Sequence, residues 1–185
     1  LSLRSTTFDI TVTPRFDDVP TGHPFAGEVL GLAELGITTG CAAARFCPDD
    51  VVTRGEMAAF IVRALDLDDT PGGNAFVDDD GSVFESHIET LHAHGITTGC
   101  TATRFCPERG VTRGEMAALL VRGFGLEAAE GDSFTDDDGS FFEADIAALE
   151  ASGVTSGCSP GHFCSGRPVS RQEMAAFLIR ALATE

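Results

Sequence analysis

Apolar residues recur at steps of four and three along this chain, and the same stripe appears three times. Phe25, Val29 and Leu32 form the first stripe, Phe84, Ile88 and Leu91 the second, and Phe142, Ile146 and Leu149 the third. Such steps place each set on one helix face. Gly36, Gly95 and Gly153 follow, where a helix ends in a left-handed residue. A second stripe comes later in each copy: Met57, Phe60, Ile61 and Leu65; Met116, Leu119, Leu120 and Phe124; Met174, Phe177, Leu178 and Leu182. Each of these six stripes reads as core.

The second helix of each copy starts on a signature. Thr53-Arg54-Gly55-Glu56, Thr112-Arg113-Gly114-Glu115 and Ser170-Arg171-Gln172-Glu173 each place a hydroxyl residue three positions before a glutamate, with an apolar run behind. That spacing is a capping box, in which the hydroxyl accepts from the backbone N–H at N3 and the glutamate reaches back to the N–H of the cap. The arginine at N1 is the unusual member, because a cation there opposes the helix dipole. Two readings of Arg54, Arg113 and Arg171 stand. Each pairs with one of the abundant acids, or each helps free helix-start N–H groups hold an external anion.

Phe16, Phe76 and Phe134 open the three copies, 60 and 58 residues apart. The periodicity defines repeats over 16–67, 76–126 and 134–185, each helix–loop–helix and all-α. A unit this small buries too little surface alone, so neighbours should pack together. The polar connectors 66–75 and 127–133 are short enough to favour one three-lobed body. Residues 1–15 differ: Phe8, Ile10 and Val12 alternate with polar positions, as in a short N-terminal strand ending a preceding domain or linker. The absence of an initiator Met and of a signal-peptide pattern suggests a mature product or fragment.

Six cysteines fall as Cys41/Cys47, Cys100/Cys106 and Cys158/Cys164, with five residues between the members of each pair. Pairing within each copy is economical, since it repeats with the unit and leaves no orphan. Disulfides would imply a secreted protein outside the cytoplasm. A zinc site needs four ligands, and only the third copy adds a nearby histidine, His162; free thiols are the remaining alternative.

Charge narrows the partners. The formal net charge is −17, and all twelve basic residues are arginine. That balance argues against nucleic acid and against an anionic membrane surface. No apolar run approaches the length of a membrane span. Asp78, Asp80 and Glu85, with Asp136, Asp138 and Glu143, form acidic clusters before a helix that could hold Ca²⁺. The alternative is a turn whose acids complement the helix dipole. No serine elbow, His-Glu-x-x-His zinc motif or phosphate loop occurs, and the histidines do not recur with the repeat, so no catalytic residue is assigned.

The opening Phe16-Asp17-Asp18-Val19, the Gly36-Ile37-Thr38-Thr39-Gly40 turn, the Phe46-Cys47-Pro48-Asp49 approach and the Thr53-Arg54-Gly55-Glu56-Met57-Ala58 start together resemble S-layer homology repeats, in three copies over residues 16 to about 182. The resemblance implies a pseudo-threefold bundle with the capping-box helices gathered centrally. It further implies non-covalent anchoring of exported proteins to a secondary cell-wall polysaccharide at the cell surface. A pyruvate-bearing sugar would enter inter-repeat grooves and meet Arg54, Arg113 and Arg171, with Thr53, Thr112 and Ser170 beside them. The paired cysteines depart from the usual pattern, and the absence of Tyr and Trp leaves only Phe and His to stack on a sugar. A structural module that self-associates or binds other surface proteins, with or without calcium, is the alternative function.

Overall fold

A computed structural model describes residues 15–68, 73–127 and 129–184. The alternating segment expected to form an N-terminal strand lies outside them. The described residues form six helices: α1 (Ala26–Glu34), α2 (Arg54–Ala64), α3 (Glu85–Ala93), α4 (Arg113–Phe124), α5 (Glu143–Ala151) and α6 (Arg171–Leu182). Isolated β-bridges occur between them, but no strand or sheet is found among the described residues. The all-α expectation holds.

The even-numbered helices start as the sequence dictates. The Thr53 N–H donates to Glu56 Oε2 at 2.9 Å while the Glu56 N–H donates to Thr53 Oγ1 at 3.2 Å. Thr112 and Glu115 repeat the exchange at 3.1 and 3.3 Å. The third copy retains the box. There the Ser170 N–H and the Ser170 hydroxyl both donate to Glu173 Oε2, at 3.1 and 3.0 Å. The odd-numbered helices lack a side-chain cap at Phe25, Phe84 and Phe142. They end at Gly36, Gly95 and Gly153, with φ of 73°, 71° and 75°. Ile37, Ile96 and Val154 then bury themselves as anchors.

Between the two helices of a repeat lies a loop closed by disulfides Cys41–Cys47, Cys100–Cys106 and Cys158–Cys164. The opening aspartate holds this loop from behind. Asp78 Oδ1 and Oδ2 accept the Phe105 and Cys106 N–H groups at 2.7 and 2.9 Å. Asp18 and Asp136 do the same for Phe46/Cys47 and Phe163/Cys164. Asp18 and Asp136 sit below the usual carboxylate range, because those amides outweigh the upward push of burial. The loop entrance demands glycine. A Cβ on Gly99 (φ 85°) would stand 2.5 Å from both the Arg104 carbonyl oxygen and the Phe76 ring.

The two helices of one repeat are not the principal packing partners. Instead α2 packs on α3, α4 on α5, and α6 back on α1, so each capping-box helix grips the first helix of the next repeat. The chain thereby closes on itself, with α6 also against α2 and α4 at the centre. A ring of backbone hydrogen bonds ties the middle. The Val52 N–H donates to the Val169 carbonyl, Val169 to Val111, and Val111 to Val52, at 2.9, 3.1 and 2.9 Å. Phe46, Phe105, Phe163, Met57, Met116 and Met174 fill the space around it with no exposed surface. One shared core, rather than three small ones, solves the surface-to-volume problem of a short repeat.

Candidate functional site

Arg54, Arg113 and Arg171 are 4%, 2% and 3% exposed, unusual burial for arginine. Each reaches into the following repeat. Arg54 Nε donates to the Phe105 carbonyl at 2.8 Å, its guanidinium carbon stands 4.6 Å from the centre of the Phe105 ring, and Nη1 meets Glu115 at 3.4 Å. Arg113 makes the same set with Phe163 (2.7 and 4.7 Å) and Glu173 (3.7 Å). Arg171 closes the cycle on repeat 1 through Phe46 (2.8 and 5.1 Å) and Glu56 (2.8 Å). Burial pulls all three guanidinium groups below their ordinary value, against the pull of these glutamates.

This settles which groups the helix start has spare. The Arg54 and Gly55 N–H groups donate to the Arg109 and Pro107 carbonyls, each at 2.9 Å. Arg113 and Gly114 use Arg167 and Ser165, and Arg171 and Gln172 use Asp50 and Pro48. The amides expected to be free for an external anion are thus satisfied by the neighbour's loop. The acid that pairs with each arginine is distant in sequence, 61 residues for Arg54 and 115 for Arg171, which is why no local pattern announced it. Glu56, Glu115 and Glu173 therefore do double service, as capping-box acids and as inter-repeat partners.

Two grooves open beside these arginines. One, of about 240 Å³, is lined by Arg54, the Thr97–Cys100 turn, Glu115, Arg122 and the Phe141–Phe142 pair. The other, of about 230 Å³, is lined by Arg171, the Thr38–Cys41 turn, Glu56, Arg63 and Phe84. Arg63, Arg122 and Arg180 were missed by the reading of the capping boxes, although they recur at one position in all three copies. Thr53, Thr112 and Ser170 are engaged in their caps and are only partly buried.

The grooves differ in charge. Arg109 and Arg167 are 45% exposed and pair with Glu115 and Glu173. Those contacts and the cap N–H groups, with Arg54 adding to the first and the Ser170 hydroxyl to the second, hold Glu115 and Glu173 below the usual range despite the upward push of burial. The aligned position in repeat 1 is Asp50, an acid. Arg54 and Arg122 line the first groove with Glu115, and Arg109 pairs with that glutamate. Arg171 and Arg63 line the other with Glu56, and there Asp50 adds a negative charge near Arg171. Phe141 adds a ring that is 86% exposed at the lip of the first groove. Val83 and Pro24 stand at that position in the other copies.

The acids suggested for calcium do not converge as grouped in the sequence. Asp78 and Asp136 spend both oxygens on loop amides. Glu85 and Glu143 accept the Gly81 and Gly139 N–H groups at 2.7 Å, and Asp80 accepts from Asn74 at 2.6 Å. Among the described residues, the one trio of metal-ligating side chains within 4.8 Å of one another is Asp78, Cys100 and Cys106, and its two sulfurs are joined to each other. No helix among the described residues is long and apolar enough to cross a membrane.

A closed ring of three repeats, each lending a buried arginine to the next, defines a repeat module with inter-repeat grooves. The S-layer homology domain family matches it at residues 15–58, 75–117 and 133–175, and the chain belongs to that family. Members of the family serve as cell-surface anchoring modules. Relatives include an endoglucanase of Bacillus sp. (strain KSM-635), 34% identical over 51% of this chain and 10% of its own length. The surface-layer 125 kDa protein of Lysinibacillus sphaericus is 29% identical over 83% of this chain and 14% of its own. The S-layer protein EA1 of Bacillus anthracis is 26% identical over 88% and 19%. The chain thus spans between a tenth and a fifth of the length of these relatives.

Proposed function

We propose that this ring is a non-catalytic module that holds its parent protein outside the cell on an anionic cell-wall polysaccharide, with the polymer entering the inter-repeat grooves. The observation that carries the reading is the groove beside Arg54, where Arg54 and Arg122 line the wall with a single glutamate and Arg109 pairs with that glutamate, in a protein of net charge −17. A concave site with low-dielectric walls focuses such a local potential against the repulsion of the whole molecule. A carboxylate-bearing sugar of the pyruvylated type suits it. Arg54 and Arg171 supply charge at the floors of the two grooves, Arg113 the equivalent charge between repeats 2 and 3, Arg122 and Arg109 supply reach at the rim, and Thr53, Thr112 and Ser170 fix the helix starts that aim them. The presence of related repeats on both surface-layer proteins and an endoglucanase fits an accessory anchor attached to unrelated partners.

The test is co-sedimentation with purified cell-wall sacculi, polymer intact or chemically stripped. Arg54→Ala, Arg113→Ala and Arg171→Ala remove buried groups, so circular dichroism must accompany them. Arg109→Ala/Arg122→Ala touches only the rim and leaves the core intact. Polymer-dependent binding that falls in the rim variant supports the reading. Binding indifferent to both polymer and arginines overturns it and assigns the ring to self-association.

A further inference from the structure

Repeats 2 and 3 contain an acid that no contact accounts for. Asp79 and Asp137 follow the aspartates that hold the cysteine loops, and they are 0% and 1% exposed. Neither oxygen of either carboxylate has a hydrogen-bond partner among the described residues. A carboxylate buried in this way must be protonated, paired or metal-bound. No ion pair among the described residues involves Asp79, Glu85, Glu89, Asp132, Asp137 or Glu143.

The neighbours are further acids. Asp79 lies against Glu89, Glu85 and Asp78; Asp137 lies against Asp132, Asp136 and Glu143. Burial first, and these like charges second, push both carboxyls up to about 6. The third acid of each set comes from a different place. Glu89 is on α3, where repeat 3 has Ala147, and Asp132 is in the connector, where repeat 2 has Asn74. The same number of carboxylates is therefore assembled by two routes. Asp132 Oδ2 is likewise buried without a partner. Beside Asp137 a depression of about 480 Å³ is lined by Asp132, Asp138, Ser140 and Glu143.

Repeat 1 supplies the contrast within the same chain. Val19 replaces the buried aspartate, and Ala26 and Leu30 stand at the positions of Glu85 and Glu89. Its depression, of about 260 Å³, is lined by Phe16, Val19, Ala26 and Leu30, with Arg15 and Thr21 and no acid. Charge is thus absent from all three positions together.

We infer that repeats 2 and 3 each bind a calcium ion, through Asp79 with Glu85 and Glu89 and through Asp137 with Asp132 and Glu143. All-oxygen donors in an uneven arrangement suit calcium, which takes six to eight oxygens, better than magnesium with its demand for a compact octahedron. In the metal-free chain the three carboxylates of a set do not all lie within 4.8 Å of one another, so calcium would have to draw them together on binding. Zinc lacks ligands here, because the nearby cysteines are in disulfides. The site is centred one residue beyond Asp78 and Asp136, whose oxygens the loop amides occupy.

The experiment is equilibrium dialysis of the full chain against CaCl₂ after chelator treatment, with bound calcium counted by mass spectrometry. Asp79→Val and Asp137→Val copy the packing of Val19 and so preserve the fold, which circular dichroism verifies. We expect two ions per chain in wild type, one in each single variant and none in the double. Glu85→Gln and Glu143→Gln keep the oxygen that accepts the glycine N–H, and each should weaken one site at least tenfold. Calcium should raise the melting temperature of wild type and leave that of the double variant unmoved. No bound calcium at millimolar concentration, or a stoichiometry unchanged in the folded double variant, overturns the proposal and makes Asp79 and Asp137 protonated core acids.

Discussion

Repeat 1 and repeat 3 build the same backbone around opposite fillings. Val19, Ala26 and Leu30 make the seat before α1 apolar, whereas Asp137, Asp132 and Glu143 make its counterpart before α5 acidic. Everything that holds the frame is shared: the opening phenylalanine, the aspartate on the loop amides, the disulfide and the arginine lent to the next repeat. The contrast teaches that ring closure fixes the fold and leaves the seat beside each first helix free to vary. The same holds for the grooves, where Arg109 and Arg167 give way to Asp50 without disturbing the backbone contacts.

The largest effect should come from the shared frame. Arg113→Ala leaves Glu173 short of a partner and opens the core against Phe163, and should cost about 3 kcal/mol by urea denaturation. Arg54→Ala and Arg171→Ala should cost similar amounts, and a marked inequality among the three would break the equivalence of the frame. Next, Val19→Asp should destabilise repeat 1 by about 2 kcal/mol at neutral pH, because it buries a carboxylate with no hydrogen-bond or charge partner. Calcium should not rescue it.

The reverse exchange is read through pH. Asp79 and Asp137 carry values of about 6 in the folded chain against 3.8 for a free aspartate. Their contribution favours the folded state below the unfolded value and is lost as pH rises through about 6. Calcium-free wild type should therefore lose stability between about pH 4 and pH 6 relative to Asp79→Val/Asp137→Val, and melting curves of the two across that range check it. Asp18, Asp136, Glu115 and Glu173 have lowered values and lose their contribution as pH falls below about 4.5, and Asp145 is raised; all five are present in both chains and cancel in the comparison. The smallest effect on stability belongs to Arg109→Ala and Arg167→Ala. Each should cost under about 1 kcal/mol as a half-exposed pair, while weakening polymer binding severalfold in a salt-dependent manner.

Local chemistry was legible in the sequence. The stripes, the capping boxes, the terminal glycines and the cysteine pairs each depend on residues within a few positions, and all appear as read. Partner choice across repeats was not. Nothing near Arg54 indicates that Phe105 and Glu115 receive it, because the pairing depends on which helix the ring places beside it. The pairing of α6 with α1 is equally non-local. Asp78-Asp79-Asp80 reads as a solvated turn, and only burial separates the middle aspartate from its neighbours. Arg63, Arg122 and Arg180 could have been found, since they recur in register, but within a charged last turn they look like ordinary helix-end cations.

The polymer is proposed to sit in the groove beside Arg54. A heteronuclear NMR titration of the isotope-labelled chain with purified cell-wall polymer fragment tests it most directly. Amide shifts should appear first and largest at Thr98, Gly99, Cys100 and Arg122, with weaker ones at Thr39, Gly40 and Cys41, and the first set should be lost in Arg109→Ala/Arg122→Ala. Shifts spread over the outer faces of α1, α3 and α5 with the grooves silent, or no shifts at saturating fragment, would contradict it.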